Sequence, residues 1–132
     1  MHLNGPMSDG RGLVMIVEDE PSIADIERRY LTQAGYGVHL ESNGLAGLAA
    51  IRALRPVAVV LDVGLPGMDG IDLCRTLRSE GDWTPIIFVT ARDDEADEAL
   101  GERLGRLAGE AEEGREEMRL EVVHGVEGAG ER

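Results

Sequence analysis

Short apolar runs alternate along the chain with longer stretches in which apolar residues recur every three or four positions. Leu13–Val17 is a continuous apolar run, as expected of a strand buried on both faces. Pro21–Gln33 then reads as a helix: Pro21 suits a first helical position, Ile23, Ile26, Tyr30 and Leu31 share a face, and Gly35 stops it. Val38–Glu41 is a short strand. Gly44–Arg55 is an Ala/Leu-rich helix, with Ser42 or Asn43 available as its cap and Pro56 behind it. Val57–Leu61 is the central strand, Gly64–Gly67 a turn, and Asp69–Ser79 a helix with Ile71, Cys74, Leu77 and Arg78 at helical spacing. Pro85 precedes the strand Ile86–Val89, and Asp93–Leu104 is a helix with Ala96, Ala99, Leu100 and Leu104 on one face. This βαβαβαβα order predicts the α/β class, as a doubly wound parallel sheet with right-handed crossovers.

Composition refines that expectation. With 132 residues the chain is one domain with room for a core. Aromatic residues make up only 3%, so Val, Ile, Leu and Ala must fill that core. The formal charge of −13 argues against a nucleic-acid surface and direct DNA binding. All 13 basic residues are Arg; there is no Lys. The single Cys74 excludes an internal disulfide and fits a reducing, cytoplasmic setting; within its helical pattern it reads as a small core residue. No apolar run is long enough to span a membrane. Residues 1–12 are polar and Gly-containing, and read as a flexible leader.

The candidate chemistry sits where strands end. Leu13–Val17 runs into Glu18-Asp19-Glu20, and Val57–Leu61 into Asp62. In an open parallel sheet, ligands bind outside the carboxyl ends of the strands, which gathers Glu18, Asp19 and Asp62 in one cleft. Carboxylates about 4 Å apart repel by roughly 4 kcal/mol per pair at an effective dielectric near 20. Such a cluster holds a proton or recruits a divalent cation, and hard oxygen ligands favour Mg²⁺. Glu18 and Asp19 could equally serve the start of the Pro21 helix, and the two roles can coexist.

Three strings in order and at matching spacing, Val14–Pro21, Leu61-Asp62 through Gly70, and Phe88-Val89-Thr90-Ala91-Arg92, resemble the receiver domain of bacterial two-component response regulators. The threonine string is most similar to receivers of winged-helix transcription regulators. The resemblance runs from Leu13 to Gly105, with Asp97, Gly101 and Gly105 still fitting, and implies a flavodoxin-like receiver fold. It implies phosphorelay signalling: Asp62 accepts a phosphoryl group from a sensor histidine kinase or phosphotransfer protein, as a phosphoacceptor and not a turnover enzyme. It also implies that Asp19 ligates Mg²⁺ directly, Glu18 through water and Gly64 through its carbonyl, and that Thr90 hydrogen-bonds a phosphoryl oxygen. Ala91 leaves room for that group, and Arg92 stands beside the opening. One rival is a degenerate, phosphorylation-independent interaction module. Another is a Mg²⁺-dependent phosphohydrolase, which would need a second catalytic acid or base; Gly64 stands two residues after Asp62, where one could serve.

After Gly105 the resemblance fails. Residues 92–132 hold 14 acidic and 6 basic side chains and seven glycines, with no aromatic and no proline. The family's fifth-strand lysine should fall near Glu112 and its switch aromatic near Gly109. Residues 106–132 are therefore expected to form an acidic, disordered tail, without a normal fifth strand or fifth helix and with no effector domain following. The alternating Met118–Val122 is a candidate makeshift strand, and a shifted reading frame or a truncated gene would account for such an ending. His2, His39 and His124 have no partner at ligand spacing, and Trp83 reads as a loop residue useful as a fluorescent reporter. Nothing in the sequence identifies the oligomeric state.

Overall fold

A computed structural model of the chain describes residues 10–90, 104, 106, 108–110 and 120–124. Five strands, β1 (Leu13–Val17), β2 (Gly37–Glu41), β3 (Ala58–Asp62), β4 (Ile86–Thr90) and β5 (Leu120–His124), form one sheet in the order β2-β1-β3-β4-β5. All four pairings are parallel. Three helices, α1 (Pro21–Gln33), α2 (Gly44–Leu54) and α3 (Gly70–Ser79), connect the first four strands. The doubly wound parallel architecture is therefore the one expected.

Period-two alternation divides the strands between two core layers. Val14, Ile16, Val60, Ile87 and Val89 pack with Leu31 and Tyr36 on the α1 face. Met15, Val17, Val59, Leu61, Ile86 and Phe88 pack with Leu48, Ile51, Leu73 and Leu77 of α2 and α3 on the other. Fully burying each such aliphatic side chain contributes about 1.5–3 kcal/mol. Local signals set the helix ends. Asn43 Oδ1 accepts the Ala46 N–H at 3.1 Å and Asp69 Oδ1 accepts the Asp72 N–H at 2.9 Å, so Asn43, not Ser42, caps α2. Gly35, with φ of 103°, turns the chain out of α1 while the Tyr36 N–H reaches back to Leu31 O.

Two helix faces differ from the periodic reading. In α1 the buried residues are Ile23, Ala24, Glu27 and Leu31, with Ile26 and Tyr30 only half-buried. In α3 they are Gly70, Leu73 and Leu77, whereas Ile71 is exposed. Several apolar residues are available on each helix, and the docking angle selects among them.

The far edge carries the makeshift strand. Leu120–His124 pairs with β4 in the register Ile86↔Leu120 through Thr90↔His124. The makeshift strand thus forms, two residues beyond Met118–Val122, and the position next to β4 is not left open. Residues 104, 106 and 108–110 are helical, and Leu104 and Ala108 are fully buried on the α1 face. Packing therefore continues past Gly105. α1 on one face and α2 and α3 on the other follow from right-handed crossovers. Leu104 and Ala108 join Val60, Ile87 and Val89 in the core layer on the α1 face. Ala91, Arg92, Asp97, Gly101, Gly105 and Glu112 lie outside the described residues, as does any helix after β5.

Candidate functional site

Strand register builds the candidate site. Val17 pairs with Leu61, so the residues that follow, Glu18 and Asp62, leave the sheet side by side. Asp62 itself pairs with Val89, which puts Thr90 one step beyond on the next strand. Glu18, Asp19 and Asp62 each present a carboxylate oxygen, all within 4.8 Å of one another. The cluster expected at the strand ends is therefore assembled. Thr90 contributes its backbone to β4 at this end of the sheet; its side chain lies outside what is described.

The three acids occupy different surroundings. Glu18 is buried, Asp62 half-buried and Asp19 exposed. Burial pushes the Glu18 carboxyl up to about 7, against the lowering effect of the Glu20 N–H, and the charges of Asp62, Asp19 and Glu20 add to the rise. That N–H donates to Glu18 Oε2 at 3.0 Å, so Glu18 does serve the start of α1, while Glu20 at the cap position makes no side-chain cap bond. Asp62 is also raised, first by burial and then by the charge of Asp19, while the N–H groups of Gly64 and Val63 hold it down. No cation appears among these influences. A set of hard oxygen donors carrying excess negative charge suits a small divalent cation such as Mg²⁺.

The loop after β3 fixes Asp62 from behind. The Gly70 N–H donates to Val63 O at 2.7 Å, and the Gly44 N–H donates to Pro66 O at 2.9 Å, tying the loop to the start of α2. A Cβ on Gly70 would overlap the Asp62 carbonyl, and one on Gly44 the Met68 carbonyl, so both positions require glycine. Gly67 has φ of 83°, which also favours glycine. Gly64 is exposed with nothing within 4 Å of a Cβ placed there.

Other candidates fall elsewhere. His39 is not partnerless: its Nε2 lies 2.7 Å from Glu41 Oε2, two residues along the same strand. Period-two spacing could have shown this. Trp83 lines a cavity of about 590 Å³ with Arg55, Val57 and Asp82, at the amino ends of β3 and β4. That is the end of the sheet opposite the acids, so Trp83 reports on folding and not on the cleft. The sequence reading missed Glu27, a buried carboxyl in α1; only its place among Ile23, Ala24 and Leu31 could have marked it. Among the described residues, no helix is long and apolar enough to cross a membrane.

Comparison with known proteins agrees with this geometry. Residues 14–105 match the family model for the response regulator receiver domain. The response regulator MprA of Mycobacterium sp. (strain KMS) is 42% identical over 88 residues, covering 67% of this chain and 38% of that protein. The DNA-binding response regulator MtrA of Mycolicibacterium smegmatis is 40% identical over 95 residues, covering 72% of this chain and 41% of that protein. The chain thus spans about two fifths of the length of the curated relatives it matches. Among solved structures, the receiver domain of a signal transduction histidine kinase from Syntrophus aciditrophicus is 27% identical with a TM-score of 0.68, over 78% of this chain and 91% of that one. The BeF3-activated receiver domain of Klebsiella pneumoniae RstA is 29% identical with a TM-score of 0.57, over 83% and 84%.

Proposed function

This chain belongs to the response regulator receiver domain family, whose members serve phosphorelay signalling, and on that footing we propose that Asp62 is its phosphoacceptor. The observation that carries this reading is the concentration of negative charge from Glu18, Asp19 and Asp62 at the carboxyl ends of β1 and β3, with no cation beside it among the described residues. Asp19 and Asp62 would hold Mg²⁺ directly, Glu18 through water, and Gly64 through its carbonyl. Bound Mg²⁺ offsets the negative charge of both acceptor and incoming phosphoryl group. The chain's own residues do the rest. Asp62, ionised, forms a bond from a carboxylate oxygen to phosphorus as the donor's bond to that phosphorus breaks. The Val63 and Gly64 N–H groups orient the carboxylate and favour its charged form. Thr90 hydrogen-bonds a phosphoryl oxygen. The donor is a sensor histidine kinase or phosphotransfer protein, in the cytoplasm.

Incubation with a small acyl-phosphate donor and Mg²⁺ tests the reading. Intact mass should rise by one phosphoryl group that hydroxylamine removes, as expected of an acyl phosphate. A mass that never changes would instead favour a phosphorylation-independent interaction module. That second reading draws support from one feature: with no Lys in the chain, no lysine can pair with a phosphoryl group on Asp62. It predicts, even after labelling, a weak response in the segment that begins near Asp93, because added charge of about −1.5 to −2 must be matched by cations to order a segment.

Cation binding gives a separate expectation. Asp19→Asn removes a charged oxygen ligand and should weaken Mg²⁺ binding at least about tenfold, or 1.4 kcal/mol. Titration followed by backbone NMR reads this directly, and unchanged affinity would remove Asp19 from the site.

A further inference from the structure

Glu27 is a carboxyl placed in the core. It shares the buried face of α1 with Ile23, Ala24 and Leu31. Its exposure is 0%, and neither side-chain oxygen has a hydrogen-bond partner. It is not one of the three acids clustered at the strand ends. The charged groups that act on it are Glu18 from the end of β1 and Asp62 from the end of β3, both acids. On α1 itself the flanking Arg28 and Arg29 are turned to the surface and paired with Asp25. No Arg or His among the described residues compensates it.

An ionised carboxylate in these surroundings has no donor, no counter-ion and two negative neighbours. The neutral acid is far less costly to bury. We propose that α1 docks on the sheet only with Glu27 protonated, so that the seating of this helix, and of the Glu18–Glu20 segment that leads into it, is proton-dependent. Burial first, and then the charges of Glu18 and Asp62, push the Glu27 carboxyl well above the usual glutamate range. The folded chain therefore keeps a proton that the unfolded chain has already lost. This contribution is fully present below the ordinary glutamate value of 4.5, and it is lost as pH rises from there through the raised folded value. Loss of the proton leaves α1 two options: carry a bare buried charge, or lift away to hydrate it. Lifting would disturb the site, because Glu18 holds the Glu20 N–H at the first turn.

Thermal unfolding between pH 5 and pH 9 without added metal tests this, using wild type, Glu27→Gln, Glu27→Leu and Glu18→Gln. Glu18 titrates in the same direction, with a raised value of about 7, so the variants and not the pH range separate the two groups. The wild-type melting temperature should fall by roughly 5 °C between pH 5 and pH 9. Glu27→Gln and Glu27→Leu should each remove most of that fall, and Glu18→Gln, which takes away its own titration and one of the charges acting on Glu27, should only reduce it. Leu needs no partner, so it remains informative if the Gln variant folds poorly. Hydrogen exchange, corrected for the intrinsic effect of pH, should show the α1 amides losing protection at pH 8 relative to pH 6 in wild type only. A wild-type slope retained in both Glu27 variants, or abolished by Glu18→Gln alone, would overturn the proposal.

Discussion

Asp62→Asn will gain no phosphoryl mass under conditions that label the wild-type chain, and it will remain folded. The amide oxygen of Asn is a far weaker nucleophile than a carboxylate, so the loss should be complete and not partial. Shape is preserved, because Asn keeps an oxygen that the Val63 and Gly64 N–H groups can reach. Stability should hold or rise slightly at neutral pH. The substitution removes one member of a repelling trio, and the charge of Asp62 is one of the influences that lift Glu18. A gain of up to about 1 kcal/mol fits removal of one such repulsion in a half-exposed cleft. Intact mass and a urea melt, run on the same preparation, separate lost chemistry from lost structure. Labelling of the Asn variant equal to wild type would move the acceptor to another residue. Loss of both labelling and fold would make Asp62 a structural residue first.

Gly44→Ala should destabilise the fold by about 2–4 kcal/mol, mainly as overpacking at a crowded backbone. The sign is diagnostic. Inside a helix, Ala is ordinarily better than Gly by about 1 kcal/mol, so an isolated α2 would gain from the change. Here a Cβ would drive into the Met68 carbonyl, and the Gly44 N–H is already committed to Pro66 O at 2.9 Å. Neither side can yield alone: α2 is seated by Leu48 and Ile51, and the loop is tied to Val63 through Gly70. Since that loop carries the N–H groups that hold Asp62, phosphoryl uptake should slow in any fraction that stays folded. Gly64→Ala is the control. With nothing within 4 Å of its Cβ, it should change stability by less than about 0.5 kcal/mol. Equal losses at both positions in a denaturant series would show that helix propensity or loop entropy, and not the Met68 contact, controls the result.

Much of this was legible along the chain. Apolar runs ended by acids placed β1, β3 and the cleft between them, because strand direction and the parallel-sheet rule carry residues such as Glu18 and Asp62 to the same end. Capping is a three-residue affair, so Asn43 and Asp69 could be read nearly in place. What could not be read depends on distant partners. Whether α1 turns Ile26 or Glu27 toward the sheet is decided by its docking angle, and no local pattern favours a buried glutamate. The Val63 and Gly64 N–H groups reach Asp62 only because the loop folds back on itself.

The sequence by itself determined the order of elements, the two layers of alternating strand residues and the three acids at the strand ends. These follow from periods of two and three to four residues and from chain direction, which are properties of neighbours along the chain. The tertiary structure alone decided that Leu104 and Ala108 cover the α1 face, that Leu120–His124 takes the place beside β4, and that Glu27 is enclosed without a partner. Each of these depends on which apolar surface remains uncovered once the other elements have packed, and that quantity exists only when the whole sheet has formed.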